Sequence, residues 1–259
     1  MQKEPPLTER HRRTRKGDAG LSALLAAQAL TLFVVIPLGT VHAAAHVLLD
    51  ACHLAFAAIC VAVLTRHRAV QAALLAALAL LAAGPALGER LSERFGLDAA
   101  ALHAVIAATA FCFNGLVTVL VARHVFGPGR ITMHRVQGAV LLYLSVAALF
   151  AIAFGAVETY APGAFMPNAG GRIPTTQGAR TAALTYFSLT TITTTGFGDI
   201  APVHPLARSL ANLESVFGQL FPATLLARLV ALQLAHGGQA APPSPGRDGD
   251  ESGRGGDRP

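Results

Sequence analysis

An all-α membrane protein is the fold class the sequence predicts: six transmembrane helices, with a short re-entrant helix and a loop between the fifth and the sixth. Three observations predict it. Hydrophobic residues make up 53% of the 259 residues and charged residues only 13%, and the mean hydropathy of +0.51 is far from the balance of an ordinary soluble domain. Several apolar runs reach the roughly 20 residues that a helix needs to cross about 30 Å of hydrocarbon, and most carry no interior charge. The last two of these runs are separated by a segment of different character, first rich in Pro and Gly and then in Thr.

Residues 1–20 are polar and basic, with Lys3, Arg10, Arg12, Arg13, Arg15 and Lys16. They bury too little apolar surface to fold alone and read as a disordered cytoplasmic tail. Spans are expected at about 21–38, 41–64, 69–87 and 99–121, which make residues 21–125 a four-helix transmembrane region. A fifth span at about 136–157 and a sixth at about 206–232 bound a second unit, residues 136–236. Residues 237–259 are Gly, Pro and charge, a second disordered tail. A basic start, an apolar run and Ala43-Ala44-Ala45 resemble a cleaved signal peptide, but the run of about 18 residues exceeds the usual 7 to 15. An uncleaved first span is the expectation.

The net charge of +6 does not point to nucleic acid, because the basic residues lie in short segments between apolar runs, the pattern of membrane topology. With the N-terminus inside, Arg66, Arg68, Arg123, Arg130 and Arg135 fall on the cytoplasmic side, and an even number of spans returns both termini there. The expected location is the cell inner (plasma) membrane, crossed several times. Cys52, Cys60 and Cys112 sit within apolar runs with no metal or redox spacing and read as packing residues.

The residue types between the last two spans carry the functional reading. Thr191-Ile192-Thr193-Thr194-Thr195-Gly196-Phe197-Gly198-Asp199-Ile200-Ala201-Pro202 resembles the signature of the potassium-channel family, T-x-T-T-V-G-Y-G-D followed shortly by Pro. The resemblance runs without gaps from Thr181 to Gly218 and places the motif between two apolar spans, after a short amphipathic segment. It implies a selectivity filter at Thr194, Thr195, Gly196, Phe197, Gly198 and Asp199. Potassium ions would be held by the carbonyls of Thr194, Thr195, Gly196 and Phe197, and the Thr194 hydroxyl would close the innermost site. The chemistry suits the residue types. A dehydrated potassium ion needs a cage of oxygens, and glycine adopts backbone conformations closed to residues with a Cβ. The resemblance further implies a pore helix over about 181–193, whose C-terminal dipole end favours cations, and a homotetramer in the lipid bilayer, since each chain brings one quarter of the cage. Neither a cofactor nor enzymatic activity is implied. A non-selective cation channel or a potassium-uptake subunit is the neighbouring reading, although uptake systems carry four pore repeats in one chain and this chain has one.

Two departures matter. Thr195 stands where Val is usual and adds a hydroxyl that must find a partner, and Phe197 stands where Tyr is usual and removes one. Thr190 occupies a place where some relatives carry Glu, so a carboxyl contact to Asp199 is lost. On the sixth span, Gly218 takes the place of the family's hinge glycine and Pro222 follows, whose missing N–H breaks the backbone bond to Gly218. Glu214, one turn before, is an ionisable group in mid-span and is expected to meet an internal polar partner. Arg208 and Arg228, near the span ends, are expected to snorkel to water. The fourth span carries only Arg123 near its end, so no conventional voltage sensor is expected. A regulatory cytoplasmic domain would have to be a separate protein.

A second constellation lies on the second span, where His42, His46, Asp50 and His53 form one polar stripe at helical spacing. It reads as interfacial polar packing, as an external proton or metal sensor, or as part of an intramembrane metalloenzyme with His103 and Asn114 of the fourth span as the candidate further ligands.

Overall fold

The computed structural model describes residues 20–41, 48, 51–52, 54–56, 58–60, 68–95, 99–126, 133–168 and 170–237. Helix α1 spans Gly20–Leu38 and widens into a π-helical turn at Thr31–Val35. The cause is local. Pro37 has no N–H to offer the preceding turn, and the Ile36 N–H bonds back five residues to the Thr31 carbonyl. The described residues between 48 and 60 are helical. Three long helices follow, α2 (Arg68–Phe95), α3 (Ala99–Phe126) and α4 (Met133–Tyr160). A short strand β1 (Phe165–Pro167), helix α5 (Gln177–Ile192), strand β2 (Ile200–Pro202) and helix α6 (Pro205–Gly237) complete the chain's described part.

The long helices extend past the apolar runs that predict them. Helix α2 continues to Phe95 and α6 to Gly237, because Glu, Arg, Gln and Leu are good helix formers whether or not they are apolar. Helix α5 starts at Gln177, four residues before the expected start, and ends at Ile192. Gly20–Leu38, Ala104–Arg123 and Val136–Tyr160 are long and apolar enough to cross a membrane, and Arg68–Leu81 is a shorter apolar helix. Helix α6 is not among them. Arg208, Glu214, Gln219 and Arg228 dilute its hydropathy, and each of the four has a partner described below.

Two cores hold the bundle. One gathers Leu21 and Leu24 of α1, Leu74 and Leu78 of α2, Phe113, Val117 and Val121 of α3, Leu141 and Leu142 of α4, and Phe221 of α6. The other lies under β1 and the start of α5, where the rings of Phe154, Phe165 and Phe187 meet edge to face at centroid distances of 5.1 to 5.3 Å, an arrangement worth about 0.5–1.5 kcal/mol per pair beyond burial. Helices α4 and α6 flank α5. Ser22 of α1 donates to the Gln137 side chain at the start of α4 at 2.7 Å, while the Ile36–Leu38 end of α1 reaches α5. Helix α1 therefore lines the α4–α5 unit along its length. Strands β1 and β2 pair antiparallel, with Met166 opposite Ala201, and mark the end of the bundle called outer below.

Candidate functional site

The loop between α5 and β2 has an unusual backbone. Thr194, Gly196 and Gly198 have φ of 56°, 53° and 74°, so every second residue is left-handed, and Thr194 is the one non-glycine with positive φ among the described residues. Left-handed backbone is nearly free for glycine and strained for a residue with a Cβ, so Thr194 is held there by its surroundings. The C-terminal carbonyls of α5 supply part of that hold. The Thr190 carbonyl accepts from the N–H groups of both Thr195 and Gly196, at 2.9 and 3.1 Å, and the Thr191 carbonyl accepts from Thr194 at 2.9 Å.

The threonine side chains are satisfied within the loop and the helix end. Thr193 donates its hydroxyl to the Leu189 carbonyl at 2.7 Å. Its oxygen is then left to accept from Thr195, 2.9 Å away, which answers where the extra hydroxyl of Thr195 finds a partner. Thr194 donates to the Thr193 carbonyl at 2.7 Å and accepts from Nε2 of Gln219, on α6, at 3.1 Å.

At the outer end, Tyr186 donates to Oδ2 of Asp199 at 2.8 Å, and Oδ1 accepts from the Ile200 N–H at 3.0 Å. The Tyr186 ring lies parallel to that of Phe197, interplanar angle 4° and centroids 6.4 Å apart. Asn168, just after β1, donates its N–H to the Asp199 carbonyl at 2.7 Å and its amide Nδ2 to the Gly198 carbonyl at 2.6 Å. The carboxyl contact that Thr190 cannot make is thus replaced by a phenol one helical turn earlier. Thr190 turns its own hydroxyl back to the Phe187 carbonyl.

Behind the loop, the Ser188 hydroxyl of α5 lies within hydrogen-bond distance of both the Ala147 carbonyl of α4, at 2.7 Å, and Oε1 of Glu214 of α6. Both Ser188 and Glu214 are fully buried. The internal polar partner expected for Glu214 is therefore Ser188, one hydroxyl tying three helices. Nearer the inner end, Tyr143 of α4 donates to the Ile192 carbonyl at 2.7 Å. Gly218 lies against the same carbonyl: a Cβ there would fall 1.8 Å from the Ile192 oxygen, so glycine is required by close approach irrespective of any hinge. Pro222 is inside α6, next to Phe221, whose ring meets Tyr143 at 5.8 Å, Phe217 at 5.3 Å and Phe126 of α3 at 6.4 Å.

Residues 139–233 match the family model described as Ion channel. That stretch is similar to an ion channel. The match covers nearly all of α4 together with α5, the left-handed loop and most of α6, and it leaves α1, α2 and α3 outside. Neither the curated proteins nor the solved structures gave a match.

Within the matched residues the structure places residues 194–199 in one loop and sets Gly218 against the Ile192 carbonyl that precedes it. His42, His46, Asp50 and His53 lie outside the described residues, as does the side chain of His103. Asn114 donates its amide to the Ala110 carbonyl on its own helix. Arg228, expected to reach water, also holds partners within the protein. Its Nη2 donates to the Phe126 carbonyl at 3.1 Å, and its guanidinium lies 5.2 Å over the Phe126 ring, a cation at a helix C-terminus where the macrodipole favours it. Arg208 is likewise bonded, to the Pro202 carbonyl at 3.0 Å. Sequence reasoning missed Tyr143, Asn168, Tyr186 and Gln219. Only Tyr186, an aromatic on the short helix with a polar tip, carried a local signal, because a buried or half-buried phenol seeks a partner.

Proposed function

We propose that this chain is one subunit of a homotetrameric, potassium-selective channel of a bacterial plasma membrane, with both termini cytoplasmic, six spans and a re-entrant α5. The observation that carries the reading is the alternation of left-handed φ at Thr194, Gly196 and Gly198. Such alternation lets successive carbonyls face a common axis, and rings of carbonyls are what replace a potassium ion's hydration shell. A second observation supports four copies. Phe197, Leu213, Val216, Leu220 and Leu226 are all about half exposed or more in the single chain, an apolar strip running from the loop down α6 where neighbouring subunits would pack. Conduction through such a pore is passive, with potassium as cargo, no resident cofactor and no catalytic step.

Reconstitution into liposomes with opposed potassium and sodium gradients tests the reading. The reversal potential should follow the potassium gradient, and native mass measurement should give four subunits. A reversal potential near zero under those gradients would leave a cation pore without selectivity.

A further inference from the structure

The contact between Gln219 and Thr194 crosses from the inner helix to the innermost residue of the loop, and it restricts what the Thr194 hydroxyl can do. A threonine hydroxyl has one proton and two acceptor lone pairs. The Thr194 proton is given to the Thr193 carbonyl, and one lone pair receives the Gln219 Nε2–H at 3.1 Å. One lone pair remains. The donor is also held in place: Gln219 follows Gly218, whose α-carbon is pressed against the Ile192 carbonyl two residues before Thr194, so backbone and target are fixed to each other. Both side chains are exposed in the single chain.

We infer that Gln219 is an affinity-setting residue of the pore, an amide donor that competes with a bound cation for the Thr194 hydroxyl and so weakens the innermost ion site. The inference rests on the potassium-channel reading above. The partially positive hydrogen of the amide and a cation on the same oxygen repel each other, and the repulsion grows with the charge of the ion. A divalent cation of potassium's size is therefore the most sensitive probe. Four copies around an axis would apply the competition four times.

The test is block of potassium current by barium applied from the cytoplasmic side, in the native chain and in Gln219→Met, which keeps the length of the side chain and removes the donor. The half-blocking barium concentration should fall about 10-fold or more, as expected when a hydrogen bond that opposes binding is removed in each subunit. The effect should depend on the hydroxyl, so that in a Thr194→Val background Gln219→Met shifts block by less than about 2-fold. Gln219→Leu serves if the methionine variant conducts poorly, and calorimetric barium binding to the purified variants gives the same comparison without current. Potassium-selective current with equal barium affinity in native and Gln219→Met chains, or an undiminished shift in the Thr194→Val background, overturns this inference alone. A native reversal potential indifferent to potassium overturns the channel reading and this inference together.

Discussion

The two ends of the left-handed loop are held in different ways. At the outer end, the partners of Gly198, Asp199 and Ile200 are Asn168, Tyr186 and the β1–β2 pairing, all within the compact segment between α4 and α6. At the inner end, residues 192–194 are held by Tyr143 of α4 and by Gly218 and Gln219 of α6, which belong to long helices. A displacement of α6 at Gly218 and Gln219 would reach the inner end directly, while the outer end would feel it through α5 and through the start of α6, where Arg208 bonds the Pro202 carbonyl. The difference teaches that one loop can be held at one end by its own short segment and at the other by long helices, so that its two ends answer to different parts of the molecule.

The largest effect should come from removing what both ends share, the glycine backbone. Gly198→Ala and Gly196→Ala each add a Cβ at positive φ, a cost of about 1–2 kcal/mol at each position. No overlap with neighbouring atoms of the same chain adds to it. Potassium current should fall at least 100-fold, with membrane insertion retained. Undiminished potassium-selective current at matched expression would refute the assignment of the loop.

Next in size is Gly218→Ala, which separates the inner end from the outer. Its Cβ would overlap the Ile192 carbonyl, forcing α6 away from α5 at a cost of about 1–3 kcal/mol. The protein should melt at lower temperature, and barium block from the cytoplasmic side should change while block by an external quaternary ammonium ion does not. Equal change at both mouths would mean that the loop moves as one body.

The outer clamp should have a smaller and complementary effect. Tyr186→Phe removes the hydrogen bond to the Asp199 carboxylate, an exposed contact whose loss water partly makes good. The stacked ring would remain beside Phe197. Current decay during sustained opening at low external potassium should speed up by several-fold, with cytoplasmic barium affinity unchanged. A barium shift in Tyr186→Phe would contradict the independence of the two ends.

Much of this arrangement was legible in the sequence, and the part that was not has a physical reason. The helices α1, α3 and α4 follow from apolar runs and lie within about five residues of expectation, because a long apolar run is read directly from composition. The loop was legible because Gly196 and Gly198 flank a single residue in a Thr-rich context. Its clamps were not. Asn168 and Asp199 are far apart in the chain and meet only because β1 folds back on β2, and Gln219 reaches Thr194 only because Gly218 admits a close approach. Lateral contacts of this kind leave no period or spacing behind. Glu214 is the intermediate case. The cost of an ionisable group in mid-span predicts an internal partner, but only the packing of α5 against α6 shows it to be Ser188.

The smallest expected effect concerns Pro222, and it sharpens the comparison most. The proline withholds an N–H from the Gly218 carbonyl, at the level where α6 presses on Ile192. Just below, Phe221 stacks into the cluster with Tyr143 and Phe126, and Arg228 bonds the end of α3, so α6 is pinned on both sides of the missing bond. Restoring that bond by Pro222→Ala is worth about 0.5–1.5 kcal/mol, and within a pinned helix it can only stiffen the stretch between Gly218 and the cluster. Open probability should shift by about 2- to 10-fold, the equilibrium ratio that such an energy supports. Cytoplasmic barium affinity should move with it, because the same stretch carries Gln219, whereas block by an external quaternary ammonium ion should stay fixed. If open probability and both kinds of block are unchanged in Pro222→Ala, the proline is a static feature of the wall and the inner end is as rigid as the outer one.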